Sequence, residues 1–162
     1  MTEGEKTRLI AWSHELRAVH VRLREALHVT RTAVAAGVNA EAGAGVAAAS
    51  RDLLLYCHGF CTALEGHHRA EDRELFPAIA AEYPQLRQTL RSLRQDHSMM
   101  AHLITGMLTS VRRADSPAEL DRHLEGIAAI MESHFRYEER QLLSVLETLA
   151  LEVPVERALG PL

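Results

Sequence analysis

Ten histidines stand in this 162-residue chain, and the positions of four of them suggest chemistry. His20 lies between Leu16 and Leu23. His67 follows Leu64 by three residues, His97 follows Leu93 by four, and His134 follows Met131 by three. At about 100° per residue, each offset places the imidazole on the apolar stripe of its own helical segment. A single imidazole on such a face is ordinarily a core residue with a hydrogen-bond partner. Four of them, one per segment, would each need a separate partner if they shared no task. A metal would satisfy them together. Glu71 stands four residues after His67, and Glu138 four after His134, so each carboxylate shares a stripe with its histidine. An unpaired buried carboxylate is expensive, and a bound dication removes that cost. Two metals bridged by the carboxylates would engage all six groups.

The two pairs sit in a repeat. His67-His68-Arg69-Ala70-Glu71-Asp72-Arg73-Glu74-Leu75 and His134-Phe135-Arg136-Tyr137-Glu138-Glu139-Arg140-Gln141-Leu142 share the pattern H-x-R-x-E-[DE]-R-x-L. This predicts two helical hairpins related by a pseudo-two-fold, one carrying His20 with His67 and Glu71, the other His97 with His134 and Glu138. Mixed imidazole and carboxylate donors suit iron, manganese or zinc better than calcium or magnesium. Without thiolates in the set, a structural zinc site is disfavoured.

Four segments must position these groups. The first spans about 6–35, with Leu9, Trp12, Leu16, Val19, Leu23 and Leu27 on one face. An Ala- and Gly-rich stretch, 36–49, reads as a loop that could start the next helix. The second segment spans about 50–83, and Pro77 should kink it or end its regular part. Pro84 suits the first turn of a third helix to about Arg113. Ser116, Pro117 and Glu119 form a capping-box signature for a fourth, to about Ala150. Residues 151–162 are unassigned and read as an irregular tail. The expectation is an all-α, up-down-up-down four-helix bundle forming one domain over 1–162.

Composition agrees. The chain is 47% hydrophobic but only 4% aromatic, which suits a core of helix formers better than a β-sandwich. With 18 Lys and Arg against 22 Asp and Glu and no basic stripe, a nucleic-acid partner is not expected. No apolar run is long enough to span a bilayer. The charged N-terminal residues lack a following apolar region, so the expected location is cytoplasmic. No phosphate loop or nucleophile elbow is present. Cys57 and Cys61, four apart, read as small buried hydrophobes. Trp12 and Tyr137 read as ordinary packing.

A lone His, then H-x-x-x-E, a second lone His and a second H-x-x-x-E resemble the hemerythrin-like (HHE cation-binding) family. His67-His68-Arg69-Ala70-Glu71-Asp72 followed by Leu75-Phe76-Pro77 resembles its second-helix motif, and His20 with Leu23-Arg24 and Leu27 its first. The resemblance covers about residues 9–146. It implies two oxo- or hydroxo-bridged iron ions, ligated by His20, His67, Glu71, His97, His134 and Glu138 with both carboxylates as bridges. It further implies that the protein binds, senses or reacts with dioxygen, peroxide or nitric oxide. A peroxide-decomposing enzyme and an iron- or zinc-handling bundle without redox turnover are the alternatives.

The chain departs from the oxygen carriers of that family, whose third helix carries H-x-x-x-H. Ala101 stands four after His97, and His102, five after, is rotated by about 140°. The carriers also place the last carboxylate five after its histidine, where this chain has Glu139. Glu138 is preferred because it matches Glu71 in the repeat. His14 competes with His20 for the first-helix position. His123 lies about 16 Å along its helix from His134, too far to share a site. His28, His58 and His68 face away from the stripes and read as solvated surface residues.

Overall fold

A computed structural model of the protein describes residues 10–39 and 46–161. The periodic segments become four long helices. Helix α1 (Trp12–Asn39) buries Trp12, Leu16, Val19, Leu23 and Leu27, the stripe expected from three- and four-residue spacing. Residues 6–9 of the expected segment lie outside the described ones, and the helix runs past 35, so the Ala- and Gly-rich stretch begins inside it. Helix α2 (Val46–Ala70) takes up the end of that stretch, and the intervening residues lie outside the described ones.

Near Pro77 the helix changes form without stopping. A π-helical turn, Glu71–Leu75, follows α2, and α3 (Phe76–Glu82) continues from it. Proline lacks an N–H, and its ring crowds the carbonyl four residues back. The hydrogen-bond ladder therefore widens one turn before Pro77. A short 3₁₀ turn, Pro84–Leu86, precedes α4 (Arg87–Arg112), and α5 runs from Pro117 to Leu146. At the start of α5, Ser116 Oγ accepts from the Glu119 N–H at 3.3 Å. The Glu119 carboxylate pairs instead with Arg122 at 3.0 Å, so the capping box is half made. Within the tail, Val155–Leu159 forms a short helix, α6, and the described residues on either side of it are irregular.

Helix α1 packs on α2 and α5, and α4 packs on the same two helices. Helices consecutive in the chain are thus neighbours in an all-α, up-down-up-down bundle. Along each helix the candidate site residues are bracketed by buried apolar ones: Leu16 and Leu23, Leu64 and Leu75, Leu93 and Met100, Met131 and Leu142. A polar layer is therefore held between apolar layers, each large side chain of which contributes about 1.5–3 kcal/mol by its burial. Among the described residues, no helix is long and apolar enough to cross a membrane.

The C-terminal segment folds back over this layer. Ala158 and Leu159 are buried where α6 meets α2 and the π turn. The Trp12 indole N–H donates to the Leu151 carbonyl at 3.2 Å. Gly160 ends α6 with φ +90°, a conformation that favours glycine. It passes so close to α2 that a Cβ there would lie 3.0 Å from both Cα and N of His67.

Candidate metal centre

The bundle brings all six nominated side chains together in its interior. His20, His67, Glu71 and Glu138 are wholly buried, and His97 and His134 nearly so. Two clusters result: His20, His67, Glu71 and Glu138 form one, and Glu71, His97, His134 and Glu138 the other. Within each, the four candidate donor atoms lie within 4.8 Å of one another. The imidazoles divide as the hairpins predict, while both carboxylates belong to both clusters. Glu71 directs Oε1 to His67 Nε2 at 2.6 Å and Oε2 to His97 Nε2 at 3.4 Å. Glu138 directs Oε1 to His20 Nε2 at 3.3 Å and Oε2 to His134 Nε2 at 3.1 Å. Each carboxylate thus spans the two imidazole pairs with one oxygen apiece.

The outer nitrogen of each ring is tied to a different element. His20 Nδ1 donates to Glu139 at 2.9 Å, His97 Nδ1 to Asp72 at 2.8 Å, and His134 Nδ1 to Asp96 at 3.1 Å. His67 Nδ1 donates to the Leu159 carbonyl at 2.7 Å. Carboxylates and carbonyls only accept, so the proton of a neutral ring is fixed on Nδ1 and the lone pair on Nε2. Such outer partners orient metal-binding imidazoles and raise their basicity. Two of the acids are held by arginines. Arg24 bonds Glu139 at 3.4 Å and Glu132 at 2.9 and 3.2 Å, and Arg94 lies 3.9 Å from Asp72.

The electrostatics follow from this packing. Burial alone would lower the His20 pKa, but Glu138 and Glu139 on its two nitrogens raise it to about 9. Burial likewise opposes the charged form of His97, and Asp72 and Glu71 raise it to about 10. Burial would push the Glu138 carboxyl up, yet His134 and His20 hold it well below the usual carboxylate range. The His20 and His97 rings thus favour their charged form where they face the carboxylates when no metal is bound.

The donors fit a metal. His20 Nε2, His67 Nε2 and all four oxygens of Glu71 and Glu138 are buried and make no contact of hydrogen-bond geometry. Buried polar atoms are almost always bonded, and here the orphaned ones converge. Neutral imidazole with carboxylate is a donor set for iron, manganese or zinc.

The structure also sorts the other candidates. His14 and His102 are exposed and join neither cluster. Glu139 meets the outer face of His20 rather than the interior. His28 and His58 are exposed as expected, and Cys57 and Cys61 are buried free thiols. His68 is not a surface residue. It is 4% exposed and its ring stacks on His97 with centroids 4.1 Å apart. Burial, then the neighbouring His97, His67 and His134, push its pKa well below the usual value, so the ring is neutral. The sequence pattern does not single out the outer acceptors, although the second acid of the repeat, Asp72 or Glu139, marks two of them. Each bonds the lone histidine of the other hairpin. Phe135, also unforeseen, stacks on His20 with centroids 3.8 Å apart.

Comparison with known proteins gives one family. The family model described as the Hemerythrin HHE cation binding domain matches residues 13–146. No curated protein and no solved structure matches the chain.

Proposed function

We propose that this chain, which belongs to the hemerythrin HHE cation-binding domain family, is a single-domain cytoplasmic protein that holds two iron ions and binds or senses dioxygen, nitric oxide or peroxide. His20 and His67 hold one ion, His97 and His134 the other, and Glu71 and Glu138 bridge them. The observation that carries this reading is the division of each carboxylate between two imidazole pairs. A one-metal site would not need both oxygens of both carboxylates turned to different partners.

Bound iron would supply a redox-active centre with an open coordination position for a small oxidant. The chain's own contribution is organisation. The four outer hydrogen bonds turn the Nε2 atoms inward before any metal arrives. The two carboxylates supply compensating negative charge. The apolar layers above and below exclude bulk water, which strengthens every charge interaction inside.

The test is metal content per chain in protein produced with iron, beside a His67→Ala/His134→Ala variant. Close to two irons per chain, lost in the variant, is the expected result. No metal, or metal retained in the variant, would overturn the reading. Hydrogen peroxide turnover by the loaded protein then distinguishes an enzyme from a binding or sensing protein.

A further inference from the structure

The fifth buried imidazole, His68, belongs to neither of the two clusters that share the carboxylates, yet it touches one of them. Being next to His67, it is turned by about 100° around α2, away from α1 and towards α4. The contacts reflect this. His67 meets the His20 ring edge-on at 5.4 Å, whereas His68 stacks on His97 at 4.1 Å and meets His134 edge-on at 5.2 Å. A donor nitrogen of His68 lies within 4.8 Å of donor nitrogens of both His97 and His134. The ring is 4% exposed, and its Nε2 is buried without a hydrogen bond. The other four site imidazoles each have their Nδ1 bonded to an outer acceptor. Among the described residues His68 meets no such acceptor, so no hydrogen bond from them offsets the desolvation of its ring.

We propose that His68 is a third imidazole ligand of the His97/His134 metal position, which makes the two positions unequal. This rests on the two-metal reading above. One position then has two imidazoles and one oxygen from each of two carboxylates. The other would have three imidazoles and the second oxygen of each carboxylate. The imidazole missing from the third helix at Ala101 is replaced from the second.

The test compares the full-length protein with His68→Gln, which keeps the size and polarity of the side chain but is a poor metal ligand. Both are titrated with ferrous iron. In the unaltered protein two irons bind. In the variant, affinity falls by roughly tenfold or more at one position only, a loss of the size expected for a disturbed metal site, and added imidazole restores it. Proton NMR of the unaltered protein loaded with cobalt(II) provides a readout independent of any variant. Each ligated ring contributes one shifted, exchangeable N–H signal, and five are expected. Four such signals, or a variant that keeps both irons with unchanged affinity, would overturn the role of His68 and leave the two-metal reading standing. An unaltered protein that does not take up two metals would instead overturn the two-metal reading itself.

Discussion

Gly160→Ala is the sharpest perturbation of the link between the C-terminal segment and the site. At φ +90° an alanine is strained by about 1–3 kcal/mol. Its Cβ would also sit 3.0 Å from Cα and N of His67 and 3.2 Å from the Gly66 carbonyl carbon. These are backbone atoms of a packed helix, so the contact is not relieved by turning a side chain. The alternative is for residues 155–161 to lift away. That forfeits the burial of Leu159, about 1.5–3 kcal/mol, and its carbonyl bond to His67 Nδ1, about 0.5–1.5 kcal/mol. The second route caps the total, so the expected loss is about 2–4 kcal/mol. For a domain of this size that lowers Tm by roughly 5–15 °C. If the segment lifts, His67 also loses the acceptor that fixes its tautomer, and metal affinity at the His20/His67 position falls by about 10- to 100-fold. Thermal unfolding of the metal-free protein followed by circular dichroism, with an iron titration beside it, measures both effects. A variant with unchanged Tm and unchanged affinity would refute the argument that this segment is fastened to the site.

Asp72→Asn removes the charge behind His97 while keeping an acceptor. Because Asp72 is 37% exposed, stability should change by less than about 1 kcal/mol, while affinity at the His97/His134 position drops roughly tenfold. NMR titration of the metal-free variant should show the His97 pKa falling from about 10, and an unchanged value would contradict the assigned pairing. The metal-free protein should also lose stability with rising pH. The His20 pKa is raised from 6.5 to about 9, so its contribution is complete below pH 6.5 and disappears as pH climbs through about 9, a loss of about 3 kcal/mol. His97 shares the same carboxylates, so its effect does not simply add. If the rings ligate iron as proposed, they would be neutral in iron-loaded protein and the slope should be absent. A metal-free Tm that stays flat from pH 6.5 to pH 9.5 would count against the charged imidazoles.

The six inward-facing groups were legible because helical periodicity converts sequence spacing into a face, and each of the four histidines shares its face with leucine or methionine. His68 was not, for a geometric reason. Helix α2 packs against both α1 and α4, so its buried sector is wider than a single stripe. A residue turned by about 100° from His67 still points inward, towards α4. The Leu159 carbonyl that holds His67 is a backbone group, which no residue type announces. Asp72 and Glu139 were visible as the doubled acid of the repeat, but their targets lie on other helices. Only the packed bundle shows that they reach Nδ1 atoms rather than the interior. Asp96, one residue before His97, has no counterpart in the repeat and becomes meaningful only where it meets His134.

The hydrogen bonds interlace the two halves of the protein. Asp72, beside Glu71 in the first hairpin, orients His97 of the second, and Glu139, beside Glu138 in the second, orients His20 of the first. The carboxylates cross in the same sense, with Glu71 reaching His97 and Glu138 reaching His20. Neither hairpin could therefore assemble an oriented imidazole pair with its full complement of acids. The site exists only when all four long helices are docked. In that docked, metal-free state, protons on His20 and His97 face the interior carboxylates, and Glu138 is held in its charged form by His134 and His20. An unbalanced pair of buried carboxylates would cost several kcal/mol each, and the two protons remove most of that penalty. On the two-metal reading, metal entry would exchange those protons for metal ions within a layer that the docked helices already shape. This allows so polar a centre to lie between apolar layers without requiring the metal to fold the chain.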